Sequence, residues 1–175
     1  MDEPVEITDY DPHYEGRYRA ERDRVRLGLA TASLKFEHIG STAVSGVAGR
    51  PIVDLMLGAS PIVWAALEEL RPRVVALGYE DLGEAGIPGR ICFRKRTALR
   101  AFDLALVEEG GPLWRDSLAL RDYLRAHPEE AAAYAAAKRA AIAGGATTLL
   151  AYSEAKKGIL ERLVREARGS EHPGS

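Results

Sequence analysis

Cysteine is nearly absent from this chain: Cys92 is the only one in 175 residues. A lone thiol forms no intrachain disulfide and builds no cysteine-based zinc site, and it suits a reducing cytoplasm. An excess of one charge is lacking as well. Lys and Arg number 24 against 26 Asp and Glu, a formal net charge of -2, so the composition carries no electrostatic footprint for nucleic acid or for an anionic membrane. No apolar run approaches membrane-spanning length. The opening Met1-Asp2-Glu3-Pro4 has neither the basic region nor the apolar stretch of a secretory signal, and the expected location is cytoplasmic. Histidines in metal-ligand spacing are also missing: His13, His38, His127 and His172 are scattered, which excludes a zinc site.

What is present is enough apolar mass for one core. At 46% hydrophobic content the length prior favours one domain, residues 1–168, with the polar Gly/Pro-rich residues 169–175 as a frayed tail. Asp11-Pro12 reads as an N-cap followed by proline in the first helical turn, with Tyr14, Tyr18, Val25 and Leu29 at helical spacing behind it. An apolar run from Leu34 to Ile39 predicts a strand that ends at Gly40. A small-residue stretch then leads to a second, buried strand over Pro51–Leu57. Ser60-Pro61 repeats the cap-plus-proline signal, Pro72 interrupts or restarts that helix, and Gly78 closes it. Strands over 91–95 and 101–107 flank a basic turn, and Gly86-Ile-Pro-Gly89 marks another turn before them. From Leu113 onward the period is helical: one helix through Leu124, an Ala-rich one after His127-Pro128, and a last one capped by Ser153, separated by Gly144-Gly145. Helix, αβ unit, strand meander and helical tail together predict an α/β (α+β) layer fold with a mixed sheet.

The chemistry-bearing stretch runs from Phe36 to Leu55. A strand ending in Gly40-Ser41 turns tightly and exposes successive N–H groups beside the Ser41 and Thr42 hydroxyls, an arrangement that suits a phosphate. Asp54 lies inside an otherwise apolar strand, where a carboxylate is costly to bury unless a cation or hydrogen-bond donors meet it. Asp103, in a later strand, is a second carboxylate able to converge on the same ion. Each has a plainer explanation: an ordinary strand-end turn for Gly40-Ser41, an ion pair with Arg50, Arg90 or Arg94 for Asp54, and a solvent-facing strand end for Asp103. His38 is either a substrate contact or hydrogen-bonded scaffolding. Arg90, Arg94, Lys95, Arg96 and Arg100 concentrate positive charge on the strand meander. Arg121, Tyr123, Arg125, Lys138 and Lys156 are charged or polar positions on the C-terminal helices, where solvent exposure explains most of them; only Arg121 and Lys156 are carried as substrate contacts.

The blocks Tyr10-Asp11-Pro12, His38-Ile-Gly-Ser-Thr-Ala-Val44, Pro51-Ile-Val-Asp54, Gly86-Ile-Pro-Gly-Arg90 with Phe93-Arg94, Arg121-Asp-Tyr-Leu-Arg125, and Tyr152 with Glu154-Ala-Lys156 resemble the GrpB family (UPF0157-like) of the nucleotidyltransferase superfamily. The resemblance covers about residues 5 to 165 and implies a nucleotidyltransferase-like mixed β-sheet flanked by helices, with a C-terminal helical segment. It also implies a nucleoside triphosphate, ATP in the first instance, bound with Mg2+ and used to modify a small-molecule acceptor by nucleotidyl transfer or by activation for ligation. On that pattern Asp54 and Asp103 are the catalytic and metal-holding pair. Gly40, Ser41, Thr42, Arg50 and Arg94 bind the nucleotide phosphates, and His38, Arg90, Arg121 and Lys156 meet the substrate. No nucleic acid or membrane partner is implied, and the chain is expected as a monomer or homodimer. Three departures stand out. The superfamily places a second carboxylate two positions after the first, where this chain has Met56; the family has Pro at the position of Ser45 and Lys at that of Arg50; and it has histidines in the segment that here carries Asp103 and Ala105. Loss of that carboxylate supports a rival expectation, a non-catalytic nucleotide- or anion-binding or chaperone-like domain that keeps the fold.

Overall fold

Tyr14, Tyr18, Val25 and Leu29 recur at three to four residues and all are buried, so the first helix is organised by the face it covers. In the computed structural model, which describes residues 4–30 and 33–170, that helix is α1, Tyr14–Leu29. It begins two residues later than the Asp11-Pro12 signal predicts, with His13 at the N-cap position. Two strands follow, β1 (Leu34–Ile39) and β2 (Val53–Ala59), then helices α2 (Pro61–Ala65) and α3 (Leu67–Ala76) and strands β3 (Glu80–Asp81), β4 (Arg90–Arg96) and β5 (Ala101–Glu108). Helices α4 (Pro112–Ala126), α5 (Pro128–Ala143) and α6 (Leu149–Ser170) complete the chain. The expected tail of residues 169–175 is helical through Ser170, and the rest of it lies outside the described residues.

By their internal packing the elements fall into two compact units. The sheet unit comprises His13–Ile39 and Ile52–Arg115; the helical unit comprises the chain up to Pro12, Gly40–Pro51 and the chain from Asp116 on. The sheet runs in the order β1-β2-β5-β4-β3 and is mixed, as the sequence predicts: β2 and β5 are parallel, and the other neighbours are antiparallel. A parallel pair needs a crossover connection, and α2, α3, β3 and β4 supply it between β2 and β5.

Because side chains alternate across a strand, the register divides the sheet into two chemically different faces. One carries Leu55 and Leu57 of β2, Leu104 and Leu106 of β5 and Phe93 of β4, none more than 1% exposed. α1 packs against this face: the Tyr18 ring stacks on His38 at 4.6 Å between centroids, and Glu21 meets Lys95 at 3.2 Å and the Tyr79 hydroxyl at 2.8 Å. The opposite face carries Asp54, Met56 and Gly58 of β2 beside Asp103, Ala105 and Val107 of β5. At its far end the Trp114 ring lies where a Cβ on Gly58 would stand, 2.6 Å away.

Pro72 does not break the second helical stretch. It lies inside α3, and the interruption falls earlier, at Ala66, whose backbone (φ -99°, ψ 24°) leaves the helical basin between α2 and α3. Ser60 caps α2 as expected, its hydroxyl accepting from the Val63 N–H at 3.5 Å. Ser153 caps nothing. It sits within α6, whose first turn is met instead by the Thr148 hydroxyl, accepting from the Ala151 N–H at 3.5 Å.

The helical unit has its own core. Val44, Val47 and Ala48 of the connection between β1 and β2 pack with Leu124, Ala131, Tyr134, Ala135 and Leu163 of α4, α5 and α6. The N-terminal segment is tied in by bridges from Thr8 to Gly49 and from Pro4 to Thr148. No helix among the described residues is long and apolar enough to cross a membrane.

Candidate functional site

The polar sheet face reads as rows across the strands. Ile39, Asp54, Asp103 and Arg94 form the first row; Glu37, Met56, Ala105 and Cys92 the second; Lys35, Gly58, Val107 and Arg90 the third. The first row thus sets two carboxylates side by side on the parallel pair, with a guanidinium next in line. Like charges on adjacent strands repel unless cations intervene. Arg94 intervenes through Nε, 3.2 Å from Asp103 Oδ1, and Nη2, 3.3 Å from Oδ2, and Arg96 adds Nη1 at 3.1 Å from Oδ1. Asp54, Asp103 and Arg94 are all half-buried, which strengthens their attraction relative to water without the full desolvation cost of the interior.

Arg90 belongs to the same face but not to the same row. It lies four positions along β4 from Arg94, roughly 13 Å of strand, and its Nε is buried without a hydrogen-bond partner. Cys92 lies between them, half-buried, with its thiol pushed up by burial. His38 is on the other face altogether, in register with Leu55 rather than Asp54. It is 3% exposed, stacked on Tyr18, and its Nδ1 lies 3.0 Å from Glu15 Oε2. Of its two sequence-level explanations, scaffolding is the one this placement fits, and the substrate contact is not.

Of the residues expected at the phosphates, Arg94 belongs to the sheet unit, and Gly40, Ser41, Thr42 and Arg50 belong to the helical unit. Gly40 has φ 72° and ψ -172°, a conformation open to glycine and strained for any residue with a Cβ, and it starts a single helical turn, Ser41–Ala43. Two of the N–H groups expected to face an anion are taken up inside the turn, Ala43 by the Gly40 carbonyl and Val44 by the Ser41 carbonyl, both at 3.2 Å. Thr42 is buried, whereas Ser41 is only half-buried. Arg50 lies close enough to buried Tyr152 to oppose the upward push of burial, which still holds that phenol at about 12. The Lys156 ammonium sits 4.7 Å over the same ring. Arg121 bonds its neighbour Asp122 at 2.8 Å and is itself only 12% exposed.

Of the residues assigned from sequence to a solvated helix surface, Arg125 is there, 44% exposed, and Lys138 is not. Lys138 is 1% exposed and donates from Nζ to the Ser41 hydroxyl and, at 2.8 Å, to the Ala48 carbonyl. Arg125 donates from Nε to the Ala43 carbonyl at 2.9 Å. The signal for Lys138 was available: Ala131, Tyr134, Ala135 and Lys138 occupy one face of α5 at spacing i, i+3, i+4, i+7, a buried stripe whose last member is charged.

A model of the family described as GrpB protein matches residues 4–166. The chain belongs to the GrpB family. Among its relatives, the UPF0157 protein YqkA of Bacillus subtilis is 32% identical over 94% of this chain, yet the chain spans only 47%, about half, of that protein's length. A UPF0157 protein of Pseudomonas aeruginosa is 30% identical over 98% of this chain and 72% of its own length. Among solved structures, GrpB from Enterococcus faecalis superposes with a TM-score of 0.83 at 24% identity, covering 95% of this chain and 99% of that one. Cid1 in complex with its short product ApU follows with a TM-score of 0.51 at 12% identity, covering 74% of this chain and 41% of that one. This GrpB-family chain therefore has the nucleotidyltransferase-like fold. Its polar row occurs on the central parallel pair of that fold.

The donor chemistry for a divalent ion can be weighed directly. No group of three or more His, Cys, Asp or Glu side chains converges among the described residues, and the position that would add a third carboxylate is Met56, 1% exposed. Two carboxylates are too few for a hard cation held by protein alone. They suffice for Mg2+ that arrives on a triphosphate, because such an ion keeps phosphate oxygens and water as its other ligands.

Proposed function

We propose that this chain is an NTP-dependent enzyme of the nucleotidyltransferase type, taking ATP or another nucleoside triphosphate with Mg2+ and passing its nucleotidyl group to a small-molecule acceptor, or activating that acceptor for ligation. The observation that carries the reading is the lateral pair Asp54 and Asp103, half-buried and backed by Arg94, on the two parallel strands of this fold. Asp54 and Asp103 would hold the ion, whose contribution when bound is to neutralise charge on the phosphates. Arg94 stands in line to take phosphate charge as it develops on the leaving pyrophosphate. Gly40, Ser41 and Arg50 are assigned to the phosphates by the family's pattern. In the transfer, an acceptor oxygen or nitrogen bonds to the α-phosphorus while the bond from that phosphorus to the bridging oxygen of the β-phosphate breaks; pyrophosphate leaves with that oxygen, and the proton of a hydroxyl or amine acceptor passes to water. The lone thiol of Cys92 fits work in a reducing cytoplasm.

The test is incubation with α-labelled nucleoside triphosphates, Mg2+ and a panel of small hydroxyl, amine and carboxylate acceptors. Pyrophosphate release with label on an acceptor is the expected result, absent in Asp54→Asn. A specific observation favours one other reading: Arg94 and Arg96 already neutralise Asp103, and Met56 stands where another carboxylate would be. On that reading the chain is a non-catalytic nucleotide- or anion-binding or chaperone-like domain. Triphosphate binding with no transfer across the panel would establish it.

A further inference from the structure

An ammonium only donates hydrogen bonds; it has no lone pair to accept one. Lys138 Nζ bonds the Ser41 hydroxyl, so Ser41 Oγ is the acceptor of that bond and its own proton must point elsewhere. Lys138 is in turn fixed by the Ala48 carbonyl at 2.8 Å and by the Tyr134 ring, whose centroid lies 4.3 Å from Nζ. The neighbouring backbone leaves the pair no slack. A Cβ on Gly49 would stand 2.6 Å from Ser41 Cβ, 2.7 Å from Ser41 Oγ and 3.3 Å from Lys138 Nζ. A fully buried lysine is a rare device, since desolvating a charge is costly unless it is paired or bonded, and here it is bonded to the serine of the glycine turn.

We propose that Lys138 is a positioning residue that locks Ser41 as an obligate hydrogen-bond donor toward an anionic ligand, without touching that ligand itself. The inference rests on the reading of Ser41 as a phosphate contact. Accepting from an ammonium polarises the Ser41 O–H and makes it a stronger donor, as in other hydrogen-bond chains. The anion of matching chemistry is a phosphate oxygen of the triphosphate.

The experiment is a double-mutant cycle on tripolyphosphate binding, read by titration calorimetry with melting temperatures taken alongside. Ser41→Ala and Lys138→Met are each expected to weaken binding by about tenfold, the scale of one hydrogen bond to a charged partner, and Ser41→Ala/Lys138→Met to bind no more weakly than Ser41→Ala alone. A merely structural lysine would lower the melting temperature and leave affinity intact. Unchanged affinity in folded Lys138→Met overturns the proposal. So does a double variant that loses the product of the two single effects, which would make Lys138 an independent ligand contact. Should Lys138→Met fail to fold, Gly49→Ala keeps the charge and displaces the Ser41 hydroxyl; the same tenfold loss is expected, and wild-type affinity overturns the proposal. Absence of tripolyphosphate binding by the unaltered chain sinks the phosphate reading of Ser41 and this inference together, and is thereby distinct from failure of the Lys138 step alone.

Discussion

The two faces of the sheet are made by the same strands and obey opposite rules. On the helix-covered face the residues of β2 and β5 are Leu55, Leu57, Leu104 and Leu106, none more than 1% exposed. On the other face the same strands, one residue out of phase, present Asp54 and Asp103. Even the charged groups differ in kind. Glu21 of α1 is itself buried and is bonded to Arg24 at 2.6 Å, to Tyr79 at 2.8 Å and to Lys95 at 3.2 Å. Asp103 is held by two arginines of the neighbouring strand β4, within reach of water. Strand alternation thus gives one face the packed apolar side chains and the other the charged row, and on the proposed function substitutions on the two faces should separate cleanly.

The largest effect is expected on the polar face. Asp54→Asn should lower nucleotidyl transfer by about a hundredfold or more, the scale of removing one electrostatic contact to a transition state, while the melting temperature stays close to that of the unaltered chain. Pyrophosphate release and thermal denaturation measure the two. If the variant instead unfolds well before the parent, Asp54 is structural and the division between faces fails at its most important residue. On the packed face the converse holds: Leu104→Ala should cost about 2–5 kcal/mol of stability through the cavity left behind, seen in urea unfolding, with triphosphate affinity per folded molecule unchanged.

How far this division could be read in advance depends on what each residue must satisfy. β1 was legible to its ends, Leu34 to Ile39, and β4 and β5 to within a residue at each end, because apolar positions and glycine turns state where a strand starts and stops. Helix starts were less legible, since capping residues are interchangeable: Thr148 caps the helix that Ser153 seemed to open, and Asp11-Pro12 lies ahead of a helix that begins at Tyr14. Pro72 misled because a proline within a helix loses one hydrogen bond but does not always end the helix. At the site, Asp54 and Asp103 were found as carboxylates in apolar strands, yet their lateral pairing depends on strand order, which periodicity does not encode. From sequence alone His38 stays open between two explanations, and Lys138 is misplaced. A strand-end histidine gives no sign of which face it occupies once register is unknown, and a helical lysine is read as solvated unless the stripe it shares with Ala131, Tyr134 and Ala135 is traced to its end.

Smaller effects sharpen the contrast between the two charged networks. Arg94 reaches both carboxylate oxygens of Asp103 and its side chain is 21% exposed, whereas Arg96 approaches Oδ1 and is 33% exposed. Arg94→Ala should therefore destabilise by about 1 kcal/mol and Arg96→Ala by less, both discounted for solvent screening; equal losses in urea unfolding would mean that Asp103 is held by charge alone and not by geometry.

The smallest change at neutral pH, and the one most dependent on conditions, concerns the buried network. Burial pushes the Glu21 carboxyl up, but hydrogen bonds from Arg24 and Tyr79 and the charges of Arg24 and Lys95 outweigh it and hold the group below its ordinary value of 4.5. A carboxyl with a depressed folded-state value contributes stability above its unfolded value, and that contribution is lost as pH falls through the folded one. The acid side of the stability profile should therefore steepen below the ordinary glutamate range. Glu21→Gln should flatten that slope while leaving triphosphate binding unaltered, because the network lies on the face that the polar row does not share. Urea unfolding of both proteins between about pH 3 and pH 7 measures the difference; identical slopes would show that the packed face carries no titrating load.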